Sequence, residues 1–282
     1  GSITTDAPGT VKFNITTAAG TASVLTTGTQ TYHDAVVLMK DTTLTSTGAA
    51  ALGNIGFGST VMGDSATAHN LTINGTNVNF ADAVGSNLLK IGDIAINSSG
   101  STNFASTVDA ASLIVNASGD TTFNGVVTVG SITTDAPGTV KFNITTAPGT
   151  SSVLTTGTQT YNDAVVLMKD TTLTSTGAAA LGNIGFGSTV MGDSATAHNL
   201  SIRGTNVNFA DVVGSSSLKI GALTINASGI NQFNDLVTVG SLTTYNEGTV
   251  KFNITTAEGA DSVATTFGVQ LEPEPRIVGA QF

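Results

Sequence analysis

Short apolar stretches recur along this chain, each bounded by Asn, Asp, Ser and Gly. Ile94-Ala-Ile-Asn-Ser-Ser-Gly-Ser-Thr-Asn-Phe104 is followed by Leu113-Ile-Val-Asn-Ala-Ser-Gly-Asp-Thr-Thr-Phe123. Ile132 to Phe142 and Leu223 to Phe233 read alike. The template is a short strand, an Asx residue, a glycine turn, and a second strand ending on Phe. Strand-opening residues recur near positions 3, 24, 44, 71, 94, 113, 132, 153, 173, 200, 223, 242 and 263, a step of roughly 19 to 28 residues that marks a solenoid. No ten-residue stretch carries helical periodicity, and the segments between apolar positions are rich in Gly, Thr and Asn.

One aromatic falls in each step: Phe13, Tyr32, Phe57, Phe80, Phe104, Phe123, Phe142, Tyr161, Phe186, Phe209, Phe233 and Phe252. Most are followed four residues later by valine, as in Phe57/Val61 and Phe80/Val84, a spacing that keeps two side chains on one face of a strand. A coil of about 20 residues cannot bury its own apolar face, but stacked coils can, and equivalent residues then form ladders. The expected fold is therefore all-β: a right-handed parallel β-helix of about thirteen coils, with the aromatics as an internal ladder. Asn97, Asn116, Asp135 and Asn226 close the first strand of their coils, each with glycine three residues on, and form a predicted turn ladder. The inserts at 48–55 and 63–69, with copies at 177–184 and 192–198, are expected to project as loops.

A longer repeat overlies the short one. Residues 1–85 return as 130–214 with six exchanges: Ala19/Pro148, Ala22/Ser151, His33/Asn162, Thr72/Ser201, Asn74/Arg203 and Ala83/Val212. The long repeats span 1–129, 130–239 and, in part, 240–266. Two coils lie between Gly85 and Gly130, but one between Gly214 and Gly240. Loss of a whole internal unit suits a stack in which each coil touches only its neighbours. Residues 267–282 lack the coil pattern, and Pro273 and Pro275 cannot donate to a ladder. This segment is expected to be a cap, a linker or an assembly arm, with Pro273, Pro275, Arg276 and Phe282 as its candidate contacts.

Composition narrows the function. Only 10% of residues are charged, and the net charge is −10, which disfavours nucleic acid and anionic lipid. No apolar run is long enough to span a membrane as a helix, so no membrane insertion is expected. Cysteine is absent, which is compatible with an oxidising compartment. The chain opens on Gly1 with no signal peptide, as a processed chain or an excised fragment would.

The repeat style resembles that of giant bacterial surface proteins. Leu-Thr-Ile-Asn, Phe-Asn-Gly-Val-Val-Thr-Val-Gly-Ser and Thr-Gly-Thr-Gln-Thr-Tyr-Asn-Asp-Ala-Val carry the likeness to filamentous-haemagglutinin-like β-helix adhesins and autotransporter passengers, over residues 1 to about 265. The resemblance implies export to the bacterial cell surface and attachment to hosts, surfaces or other cells.

Candidate chemistry is sparse. His33, His69 and His198 show no metal-ligand spacing. Asp34, Asp41, Asp64, Asp82, Asp163, Asp170, Asp193 and Asp211 are the candidates for Ca²⁺, but the calcium nonapeptide and EF-hand loops are absent, and the preferred reading is solvated turn carboxylates. No metal, cofactor or catalytic residue is expected, because nearly every polar group has a copy and a catalytic site is normally singular. The expected role is a non-enzymatic adhesive or structural rod. Its partners would be other copies of itself end to end, or a host or cell-surface glycan or protein. The alternatives are a subunit of a self-assembling extracellular filament, and a β-helical polysaccharide lyase or hydrolase.

Overall fold

A computed structural model describes the chain apart from residues 19, 65–66, 136, 195, 246–247, 255–262, 266–268, 273–275 and 279–282. The chain divides into two compact units, Gly1–Gly138 and Thr139–Phe282. Each is a parallel β-solenoid, and short 3₁₀ turns at Ala50–Gly53 and Ala179–Gly182 are the only helical elements among the described residues.

In unit 1 each coil turns through three faces. The first carries Ile3–Thr5, Gln30–Tyr32, Ile55–Phe57, Val78–Phe80, Thr102–Phe104 and Asp120–Phe123 in parallel register. The second carries Thr10–Phe13, Ala35–Leu38 and Val61–Gly63, and continues through single bridges at Val84 to Val108 and Val127. The third carries Val24–Thr26, Thr42–Ser46, His69–Gly75, Ile91–Ser98, the second half of Val108–Ala117, and Ile132–Thr134. Inward residues alternate with outward ones on every face, as the two-residue strand period demands.

The interior is columnar. Tyr32, Phe57, Phe80, Phe104 and Phe123 occupy equivalent places on the first face and are buried. Their successive rings are stacked, with centroids 5.4, 4.8, 5.0 and 5.1 Å apart. Unit 2 repeats the column through Tyr161, Phe186, Phe209, Phe233 and Phe252, at 5.5, 4.8, 5.0 and 5.2 Å. The coil missing from the second long repeat leaves no gap, because Phe233 stands directly between Phe209 and Phe252.

Three details depart from the sequence reading. Phe13 is in register with Leu38 on the second face, not with Tyr32, and its ring meets Tyr32 edge-on at 85°. Phe142 does the same, in register with Leu167 and at 90° to Tyr161. The aromatic column thus changes face at the start of each long repeat. Second, the four-residue spacing between aromatic and valine spans a corner rather than one strand. Tyr32 ends a strand of the first face, whereas Val36 belongs to the second, with a bend at Asp34 between them. Both side chains still point inward, because the alternation of buried and less buried residues runs unbroken through the bend from Gln30 to Leu38. Third, pairing continues past residue 267. Val269–Glu272 adds in parallel to Leu242–Tyr245, and Arg276–Val278 to Thr249–Lys251. Val269 follows Leu242 and Ile277 follows Val250, so the apolar positions keep register. Pro273 and Pro275 fall between these two strands in sequence and, like Phe282, lie outside the described residues.

The tyrosine at the base of each column carries a polar group into the interior, and the coil supplies its partner. Tyr32 Oη donates to Gln30 Oε1 at 2.9 Å, and Gln30 Nε2 donates to the Thr45 carbonyl of the next coil at 2.9 Å and to Thr26 Oγ1 at 3.2 Å. Thr26 Oγ1 in turn donates to the Gly28 carbonyl. Tyr161, Gln159, Thr155 and the Thr174 carbonyl reproduce this network. Burial pushes both phenols above their ordinary value.

Phe80→Ala empties one rung of the column and lowers unfolding stability by about 3–5 kcal/mol in urea titration. Asn79→Ala, beside it on the outer surface, costs less than about 1 kcal/mol. Tyr32→Phe leaves Gln30 Oε1 without its donor and costs about 1–3 kcal/mol. The folded chain holds the phenolic protons that the unfolded chain releases near pH 10, so stability falls as pH rises beyond that point. Urea midpoints measured from pH 9 to 11 check this, and the fall is smaller in the Tyr32→Phe/Tyr161→Phe double variant.

Candidate functional site

A groove lies beside the third face of each unit, at the same place in both. In unit 1 it is bounded by Ile15, Thr16, Thr17, Ala18, Gly20 and Thr21 of one connection and by Lys40, Asp41, Thr42, Thr43, His69, Asn70 and Thr72, with a volume of about 570 Å³. In unit 2 the wall is Ile144–Thr150 with Lys169, Asp170, Thr171, Thr172, His198, Asn199 and Ser201, enclosing about 520 Å³. The connecting loop is turned at Gly20 and Gly149, which have φ of +79° and +84°, and Thr21 and Thr150 hydroxyls tie it to the Ala18 and Ala147 carbonyls.

Register brings the polar groups together. Thr42 pairs with Leu71, which sets Asp41 beside Asn70, 29 residues later. The Asn70 amide donates to Asp41 Oδ1 at 2.9 Å, and Asn70 Oδ1 accepts from the Asp93 amide of the following coil at 2.7 Å. A bulge between Ile91 and Ile94 makes room for that bond, and Gly92 sits so close to Asn70 Oδ1 that any Cβ there would strike it. Unit 2 repeats the arrangement with Asn199, Asp170, Ala222 and Gly221.

His69 stands between two carboxylates. Its Nδ1 is 3.8 Å from Asp41 and its Nε2 is 3.7 Å from Asp64, while the ring is mostly buried. In unit 2 the distances from His198 are 3.9 Å to Asp170 and 3.3 Å to Asp193. The sequence reading missed this cluster, because Asp41 and His69 lie 28 residues apart and meet only through coil register. The signal available was arithmetic: a strand offset of 29 aligns residue 41 with residue 70. The two carboxylates approach opposite nitrogens of one ring, so the three groups do not converge on a point. Among the described residues no group of three or more His, Asp or Glu side chains is arranged to hold a metal ion.

The other candidate residues are dispersed. Asp82 and Asp211 accept from the amides of Ala83 and Val212 at 2.7 Å, closing local turns. Asp34 and Asp163 are buried at the corner between first and second faces. In the turn ladder, Asn97 Nδ2 donates to Asn74 Oδ1 at 2.8 Å and Asn116 Nδ2 to Asn97 Oδ1 at 2.7 Å. Asp135 follows the same face, with its amide on the Val115 carbonyl at 3.3 Å. Asn226 is in register with exposed Arg203. A second, unforeseen row of asparagines joins Asn79, Asn103 and Asn124 on the outside of the first face. Of the candidate arm, Arg276 opens a paired strand.

Comparison with models of known families, with curated proteins and with solved structures finds no match to this chain.

One carboxylate outside the grooves has a shifted titration. Burial pushes the Asp109 carboxyl up, and the Lys90 ammonium opposes the shift. The raised value means the folded state holds this proton more tightly than the unfolded state. Ionised Asp109 therefore costs stability at neutral pH, and the cost disappears as pH falls through the carboxylate range. Thr238 holds the equivalent place in unit 2, after Val237. Asp109→Thr is expected to raise the melting temperature at pH 7 and to leave it unchanged near pH 3, as followed by circular dichroism.

Proposed function

We propose that this chain is a non-catalytic adhesive and structural segment of a secreted bacterial surface protein of the filamentous-haemagglutinin type. The observation that carries the reading is duplication of accessible chemistry. The groove beside His69 and the groove beside His198 have the same wall, residue for residue, apart from Thr72/Ser201 and the loop around Pro148. Two equal grooves in one chain favour multivalent attachment, in which linked weak contacts add to avidity. The solenoid supports the same reading, since rungs can be added without redesigning a core. The outer surface is made largely of Thr, Asn, Ser and Gly, with few charges to impose a single partner. The partner on this reading is a glycan or protein of a host or neighbouring cell.

The test is attachment. Beads coated with the purified chain are expected to be retained on epithelial or bacterial cell layers, under gentle flow, well above beads coated with an unrelated acidic β-protein. Equal retention of the two bead types would sink the adhesive role. Light scattering on the same preparation separates the filament alternative: growth of the scattered mass with concentration marks end-to-end assembly, and a constant mass marks a monomeric adhesive segment.

A further inference from the structure

We propose that the two grooves are binding sites for a neutral glycan, one site per unit, with the Lys40–Asp41 and Lys169–Asp170 pairs as the principal contacts. The proposal rests on the adhesive reading and names its ligand class. Volumes of about 570 and 520 Å³ fall within the range of small-molecule sites, roughly 300–1,000 Å³. The wall is built of hydroxyl, amide, ammonium and carboxylate groups, with Ile15 or Ile144 as its one large apolar side chain. That composition rejects an apolar ligand, whose burial would strip water from polar groups without replacing their hydrogen bonds.

A sugar hydroxyl both donates and accepts, so a pair of vicinal hydroxyls is matched by an acceptor and a donor side by side. Each site has this combination on consecutive residues: a carboxylate that only accepts and an ammonium that only donates. In unit 1 the carboxylate is also held in place. Asp41 Oδ1 is occupied by the Asn70 amide and approached by His69, while Oδ2 has no partner among the described residues. The surrounding threonines add hydroxyls that donate or accept as required. Holding the acceptor at the foot of a paired strand, against the Asn70 amide, reduces the entropy lost on binding. Charge selects among glycans. The Lys and Asp of each pair cancel, and the chain carries a net charge of −10, so a polyanionic glycan gains nothing from the site and is repelled by the chain.

The test uses isothermal titration of the full chain with neutral oligosaccharides of the manno-, gluco- and galacto-series, and with heparin as the anionic comparison. At least one neutral series is expected to bind saturably with two equivalents per chain. Lys40→Ala/Asp41→Ala is expected to halve the stoichiometry, and adding Lys169→Ala/Asp170→Ala to abolish binding. The four side chains lie outside the core, and only exposed hydrogen bonds from Asn70 and Asn199 are lost with them, so the melting temperature should fall only slightly in both variants. Should a variant unfold, Asp41→Asn/Asp170→Asn keeps the shape and is expected to weaken binding about tenfold, or 1.4 kcal/mol. Absence of binding across all neutral series, binding that survives the four-residue variant, or binding of heparin alone would overturn the proposal. Bead attachment separates this failure from failure of the adhesive reading. If the four-residue variant attaches as well as the original, the grooves are wrong and adhesion stands.

Discussion

The structure depends on a match between two lengths. Parallel strands repeat about every 4.8 Å along a stack, and rings lying on equivalent residues must accept that spacing. Four of the ring pairs in each unit do so, with planes within about 20° of parallel. A centroid separation near 5 Å exceeds the thickness of a ring, so parallel neighbours are offset, the arrangement their quadrupoles favour over an eclipsed sandwich. Backbone pairing and ring packing therefore ask for the same geometry. The valines of the second face and the aliphatic residues of the third follow from it, because once one column is in register the others have no freedom left.

The buried Gln–Tyr pair adds specificity to this regularity. A column of phenylalanine alone would tolerate any coil above any other. Tyr32 must be placed where a glutamine two residues earlier can receive its hydroxyl, and Gln30 must in turn find the Thr45 carbonyl one coil on. A displaced coil would leave these groups unsatisfied in the interior, a penalty larger than the loss of one stacked ring contact. The same network in unit 2 places this marker near the start of each long repeat, beside the point where the aromatic column changes face.

Much of the architecture was legible in the sequence because a solenoid writes its long-range contacts as a period. The glycine turns, the aromatic in each coil and the Asn97–Asn116 row could be read from spacing alone. Features that depend on where a coil turns its corners could not. The pairs Tyr32/Val36 and Phe57/Val61 look like neighbours on one strand, and only the bends at Asp34 and at 58–59 show that they lie on two faces. The position of Phe13 on the second face is equally hidden, since its spacing to Tyr32 matches the 19-residue step between Phe104 and Phe123. The grooves were missed for a related reason. Coils differ in length, so the partner of His69 is found only after the register has been worked out strand by strand. The C-terminal strands were hidden by prolines that lie between them.

The passage from Phe209 through Phe233 to Phe252 has a consequence for how such a chain changes over generations. A neighbouring coil senses only register, so a slip of the gene by one complete turn still yields a protein whose interior closes. A one-residue slip inside a strand would turn its apolar side chains toward water, whereas the loops at the corners absorb other lengths, as in-register offsets of 19 residues between Leu113 and Ile132 and 29 between Thr42 and Leu71 show. Heritable variation in length thus falls in whole turns and in the loops between strands. The number of grooves a lineage presents can rise or fall by duplication while the chemistry inside each one is left intact.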